Sequence, residues 1–169
     1  MLAGLLRYYC LAFAKILNCP CGSNNITLRG NVVRDIISHG TGYGVSAYYF
    51  DEGSHDCLVE GNISISVPRP THNHICHDII MRDNVFIHDG DMTLSFQRSS
   101  NHIFTGNKLI TGGELIINQP NALDVWEDNV IVRAVSNCSI IERLGSTLGE
   151  TKYIFIESAY SRYLASVVL

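Results

Sequence analysis

The stretch Ile79-Ile-Met-Arg-Asp-Asn84-Val-Phe86 decides the fold, because its order of residue types returns along most of the chain. An asparagine that follows Gly or Asp and is flanked by apolar residues marks each return. These asparagines are Asn31, Asn62, Asn84, Asn107 and Asn129. The gaps between them are 31, 22, 23 and 22 residues. A period in the low twenties is typical of a solenoid, in which each repeat forms one coil.

The positions around each asparagine keep their character from repeat to repeat. Three residues before it stands a large apolar residue: Leu28, Val59, Met81, Phe104 and Trp126. Period-two alternation on both sides of a polar break predicts short strands joined by a tight bend, where Gly or Asp accepts unusual backbone angles. Stacked coils would place the asparagine side chains about 4.8 Å apart, within hydrogen-bonding reach of one another. We therefore predict an all-β fold, a parallel β-helix.

A meander of antiparallel hairpins with Asn-rich turns is the alternative fold. Hairpins would give turn signals roughly every 8–12 residues without keeping one residue type at each offset. A further strand also recurs within several coils, at Val45–Phe50, Met92–Phe96 and Leu115–Asn118. The long and column-consistent repeat favours the β-helix.

The 169 residues, 46% of them hydrophobic, suffice for one domain with a sizeable core. The coils are predicted over residues 24–137. The apolar segment 1–23 is predicted to cap the open end with a helix, and a signal-like or membrane-anchoring segment is the alternative. Residues 138–169 are predicted as an edge or cap that includes one further strand at Lys152–Glu157. A chain that is a piece of a longer β-helix is also compatible with this pattern.

The charge balance argues against two classes of partner. Twelve basic residues stand against 16 acidic ones, with no Lys or Arg run. Nucleic acid and anionic membrane surfaces are therefore disfavoured. The six cysteines lack the paired spacing of a metal site, so they predict none.

The repeat also locates a polar stripe. Ten residues before the last four asparagines stand Glu52, His74, Gln97 and Gln119. Near them lie Tyr48, Tyr49, Asp51, His72 and Arg98. One polar group per coil predicts an elongated groove for an extended chain of sugars, with aromatic faces to stack on rings and carboxylates to act as acid and base. Solvated turn residues are the alternative interpretation, since turns favour polar residues anyway.

The segments Gly42–Gly53, Cys57–Asn62, Thr71–His74 and Ile80–Asn84 together resemble the pectin-lyase-like superfamily over roughly residues 24–132. The resemblance implies a right-handed, three-sheet parallel β-helix in a carbohydrate-active setting, often a secreted or cell-surface bacterial polysaccharide lyase or glycoside hydrolase. Non-catalytic members exist, so the fold alone does not imply an activity.

We predict a glycoside hydrolase-like protein that acts on a polysaccharide or oligosaccharide without a cofactor. Asp51 and Glu52 are the predicted carboxyl pair. The predicted substrate contacts are Tyr48, Tyr49, His72, His74, Gln97, Arg98 and Gln119.

Three alternatives to the hydrolase stay open. A polysaccharide lyase would use Arg98 as base and calcium bound by Asp51 and Glu52. A non-catalytic carbohydrate-binding or structural β-helix would need no acid–base pair. Metal binding by His72, His74 and His77 is disfavoured because no carboxylate or Cys spacing completes a site.

Overall fold

The structure, a computed structural model, describes residues 22–36 and 45–133 together with the backbone of residues 152–155. These residues form an all-β parallel solenoid of about four turns. The predicted parallel β-helix is therefore confirmed, and the hairpin meander is excluded because every strand pair runs parallel.

The described residues form fifteen strands, numbered in chain order, in three sheets, and each complete coil adds one strand to every sheet. The first sheet holds β1 (Thr27–Arg29), β4 (His55–Glu60), β7 (His77–Arg82), β10 (His102–Thr105) and β13 (Leu123–Glu127). The second sheet holds β2 (Val32–Arg34), β5 (Ile63–Ile65), β8 (Val85–His88), β11 (Lys108–Thr111), β14 (Val130–Arg133) and β15 (Lys152–Phe155). The third sheet holds β3 (Tyr48–Phe50), β6 (Thr71–His74), β9 (Met92–Gln97) and β12 (Leu115–Asn118).

The core lies inside the coils and is built from the predicted apolar columns. Phe104 and Trp126 occupy the same column one coil apart, and their rings stack with centroids 4.8 Å apart. Phe86 meets Phe104 from the second sheet at 6.2 Å. Because these side chains are buried, truncating one such aromatic ring would cost about 3–5 kcal/mol.

The asparagines form a continuous hydrogen-bonded ladder at the bend between the first and second sheets. The Oδ1 atom of Asn84 accepts the backbone N–H and the Nδ2 group of Asn62, both at 3.0 Å. The Nδ2 group of Asn84 donates to the carbonyl of Val59 and to Oδ1 of Asn107, each at 2.9 Å. The same pattern links the other rungs, from Asn31 to Asn129. A buried amide with all its groups paired stabilises the fold, so the ladder explains the repeat.

The residue before each asparagine adopts a left-handed backbone conformation. The φ angles at Gly30, Gly61, Asp83, Gly106 and Asp128 lie between 53° and 66°. Gly takes this conformation without strain, and Asp tolerates it through local hydrogen bonding. The prediction that Gly or Asp accepts unusual backbone angles at this bend is confirmed.

The ends of the chain are described only in part. The predicted strand at Lys152–Glu157 is present as β15, which pairs with β14. The segment 1–23, predicted as a cap or a signal-like segment, lies almost entirely outside the described residues, as does most of residues 138–169. In the described part the one helix is a 3-10 turn at Pro120–Ala122, far below the length that crosses a membrane.

Candidate functional site

The side of the third sheet that faces away from the core carries two rows of polar side chains. We call this side the third-sheet face. Along each strand the side chains alternate between the core and the solvent side. On the side away from the core, the register aligns four side chains in one row: Tyr49, His72, Ser95 and Asn118. His72 and Ser95 are only 1% exposed, so the accessible members of this row are Tyr49 and Asn118. The second row pairs His74 with Gln97, and Asp51 joins it from the preceding coil.

Stacked rings occupy the first row. The Tyr49 ring lies over His72 with centroids 4.9 Å apart, and His72 stacks on His74 at 6.0 Å. Nδ1 of His72 shares a hydrogen bond of 2.9 Å with the Ser95 hydroxyl. Burial, and after it the positive charge of nearby Arg69, lowers the pKa of His72 to about 4. His72 is therefore neutral at neutral pH, and because it is only 1% exposed its ring is not accessible to a substrate.

The second row ends in three ionisable groups. Oδ1 of Asp51 hydrogen-bonds Nδ1 of His74 at 2.9 Å. One potential ligand atom from each of Asp51, Glu52 and His74 lies within 4.8 Å of the others. Burial raises the pKa of Asp51, but hydrogen bonds from His74, the Glu52 backbone and Tyr49 together bring that pKa below its ordinary value. The Asp51 carboxylate is consequently ionised at neutral pH.

The length of one turn explains why both carboxylates meet the same imidazole. Phe50 pairs with Asn73, and the left-handed residues that follow are Gly53 and Ile75. Two residues, Asp51 and Glu52, thus lie opposite the single residue His74. Strand β3 ends at Phe50, so the alternation of a regular strand does not force the two carboxylates apart.

The other predicted residues occupy different environments. Tyr48 points into the core, is only 2% exposed, and has its ring 6.3 Å from that of Phe86, so it offers no ring face to a ligand. Gln97 is part of the second row. Arg98 and Gln119 both adopt left-handed backbone at the turn beyond the sheet, where Oε1 of Gln119 accepts the Arg98 backbone N–H at 2.7 Å.

Two residues of the face were not singled out from the sequence. Ser95 lies 23 residues after His72, which is one coil, so the repeat period could have identified it. Arg69 precedes β6, and its Nε donates to the Ser46 hydroxyl at 2.8 Å. Nothing in the repeat marks Arg69, because its position comes from the loop before the strand.

The geometry limits the chemistry that this face can perform. Ser95 is 1% exposed, so its hydroxyl is not accessible as a nucleophile and instead positions His72. Calcium takes roughly 6–8 oxygen ligands, and two carboxylates with one imidazole do not fit that requirement. A retaining glycosidase places its two carboxyl groups about 5–5.5 Å apart. One carboxylate oxygen of Asp51 and one of Glu52 lie within 4.8 Å of each other, so the two groups are near enough to act on one bond.

Comparison with known proteins gives no relative for this chain. No protein-family model matches it, and neither a curated protein nor a solved structure matches it significantly.

Proposed function

We propose that the chain binds an extended glycan along the third-sheet face and hydrolyses it at Asp51 and Glu52. One observation carries the proposal: the carboxylates of Asp51 and Glu52 and the imidazole of His74 lie within 4.8 Å of one another. This group stands at one end of the two polar rows, where a bound chain would meet it. Membership of the pectin-lyase-like superfamily is part of the same proposal, supported by the three-sheet parallel architecture. Secretion from a bacterial cell would follow from that membership.

The environments of the two carboxyl groups assign the roles. Asp51 is held ionised, which suits the nucleophile. Its carboxylate would attack the anomeric carbon while Glu52, which is exposed, gives its proton to the leaving oxygen. Glu52 would then take a proton from the water that breaks the glycosyl ester, and Asp51 would be released. His74 holds Asp51 in place through the 2.9 Å hydrogen bond.

The accessible side chains of the two polar rows supply the binding surface, and His72 and Ser95, each 1% exposed, lie beneath it. Neighbouring coils lie about 4.8 Å apart, so a chain that runs along the solenoid meets one hydrogen-bonding side chain per coil. Gln97 and Asn118 provide amides in successive coils, and Tyr49 and His74 provide rings at the end with the carboxylates. Such repeated polar contacts suit the hydroxyl groups of a polymer of sugars.

A non-catalytic glycan-binding role is the second candidate, and one observation favours it. Asp51 already accepts hydrogen bonds from His74, Tyr49 and the Glu52 backbone. A carboxylate held this firmly is a good acceptor for a sugar hydroxyl but a weaker nucleophile, since each hydrogen bond lowers its basicity.

One experiment distinguishes the two candidate functions. The protein is incubated with a panel of neutral and acidic polysaccharides, and both reducing ends and polymer retention are measured. Hydrolysis predicts reducing ends that fall at least a hundredfold in Asp51→Asn and in Glu52→Gln. Asp89→Asn is the matched control, because Asp89 also lies beside a histidine, at 3.6 Å from His88, but on another sheet.

Retention of a polymer without new reducing ends, weakened in Asp51→Asn, would assign binding alone. Products that absorb in the ultraviolet would indicate a lyase and would contradict the hydrolytic roles of Asp51 and Glu52. Neither retention nor products from any polymer would overturn the proposal as a whole.

A further inference from the structure

The outer surface of the first sheet carries an aliphatic stripe that the proposed glycan site does not use. Leu58, Ile80, Ile103 and Val125 occupy one register column on successive strands, and each faces away from the core. All four side chains are partly exposed. The stripe repeats one aliphatic group per coil, about 4.8 Å apart.

Carboxylates line one side of the stripe. Asp56 and Asp78 precede Leu58 and Ile80 by two residues, and their side chains are 59% and 43% exposed. Each carboxylate is held by the preceding histidine, His55 Nδ1 to Asp56 at 2.7 Å and His77 Nδ1 to Asp78 at 2.5 Å. The two imidazoles stack with centroids 5.2 Å apart.

The backbone explains only part of this choice of residues. Asn25, Asp56, Asp78 and Asn101 all adopt left-handed φ angles between 52° and 57°. Asn and Asp both tolerate this conformation. The left-handed conformation therefore explains why Asn or Asp stands at these four positions. It does not explain why the two central positions carry the charged residues Asp56 and Asp78.

Ion pairs line the other side of the stripe. Glu60 lies between Arg29 and Arg82, with N–O distances of 2.6 and 3.1 Å. In the strand register, Glu60 and Arg82 belong to one column, which continues through Thr105 to Glu127. Carboxylates therefore outnumber guanidinium groups on this sheet: Asp56, Glu60, Asp78, Asp124 and Glu127 stand against Arg29 and Arg82.

A shallow groove of about 270 Å³ lies on the carboxylate side of the stripe. Its floor is Leu58, Ile80 and Ile103, and its side is Asp56, Asp78 and Asn101. We propose that this groove binds a linear aliphatic polyamine along the solenoid axis. Methylene groups would lie on the aliphatic floor, and ammonium groups would pair with Asp56 and Asp78. A glycan fits poorly because the floor offers its hydroxyls no partner, and the carboxylates repel phosphate groups.

Titration with spermidine in low salt tests the proposal, with amide chemical shifts and calorimetry as readouts. We expect shift changes centred on Leu58, Ile80 and Ile103. Asp56→Asn combined with Asp78→Asn should weaken binding at least tenfold. Asp35→Asn is the matched control, because Asp35 is also exposed, has a left-handed backbone (φ 56°) and is ion-paired, but follows β2 of the second sheet.

A further variant tests the aliphatic floor of the groove. Ile80→Thr keeps a β-branched residue in the strand and should weaken spermidine binding several-fold. Binding that is unchanged in the double asparagine variant, or shift changes elsewhere, would overturn the proposal. A lysine-rich peptide that binds this face ten times more tightly than spermidine would also overturn it, in favour of a protein partner. Folding of each variant is checked by circular dichroism, and these results do not depend on the third-sheet face.

Discussion

Asp51 and His74 are joined by a 2.9 Å hydrogen bond across one coil of the solenoid, although 23 residues separate them in the chain. The bond forms because coil stacking brings the end of β3 beside the end of β6. The longer turn after β3 adds Glu52 to the pair, which gives a small cluster of two carboxylates and one imidazole.

We predict that His74→Val raises the pKa of Asp51. The variant removes a hydrogen bond that lowers this pKa, while the burial that raises it remains. The measurement is a carbon-detected NMR titration of the Asp51 carboxyl. His88→Val is the control, because it removes a histidine near Asp89 and should leave Asp51 unchanged. An Asp51 pKa that does not move would show that His74 has no part in holding the carboxylate ionised.

Asn84→Ala should destabilise the protein by roughly 3 kcal/mol or more. The alanine leaves the buried backbone N–H of Asn62 and the carbonyl of Val59 without their side-chain partner, and each unsatisfied group costs about 1–3 kcal/mol. Urea denaturation measures the change. Asn31→Ala, at the exposed start of the ladder, should cost far less. Equal losses for the two variants would contradict a cooperative ladder.

Gly61→Ala should cost about 1–2 kcal/mol, because a left-handed backbone is strained with a Cβ atom. No atom lies within 4 Å of the added Cβ, so the cost is that of the backbone alone. Gly61→Asn should cost less, in line with the tolerance of Asn for this conformation. Gly112→Ala should cost more than Gly61→Ala, since its Cβ would lie 2.2 Å from the Asp89 carbonyl. Thermal unfolding of the three variants checks this order.

Acid should weaken the fold through buried histidines before it titrates the carboxylates. Burial lowers the pKa of His102 to about 4, whereas an unfolded histidine titrates near 6.5. The neutral form stabilises the fold fully above pH 6.5, and this stability is lost as the pH falls towards 4, by on the order of 3 kcal/mol.

His102→Asn should make the stability profile less steep between pH 6.5 and 4, as measured by urea midpoints, and His72, whose pKa is also lowered to about 4, accounts for slope that remains. The asparagine oxygen can replace Nδ1 as acceptor for the Ile79 N–H. His55→Asn, at a more exposed position, is the control. A profile that keeps its slope in His102→Asn would show that another group causes the acid loss.

The sequence by itself determined the coil, the ladder and the bend. Asn84 and Asp83 could be assigned their roles before any coordinates because each role repeats at a fixed offset. A residue type that recurs in every coil indicates a structural requirement that all coils share. Here these requirements are a buried, hydrogen-bonded amide and a left-handed backbone conformation. For such positions the local pattern is sufficient.

Only the tertiary structure decided which side chains meet on each face. The alternation along β3 turns Tyr48 inward and Tyr49 outward, and stacking brings Ser95 to His72. The rule that takes the residue ten positions before each asparagine selected Glu52. It did not show that Asp51 also lies opposite His74, because the turn after β3 holds one residue more than the turn after β6. Turn lengths vary from coil to coil and leave no periodic signal. Contacts that depend on them are therefore set by the stacking of the folded chain.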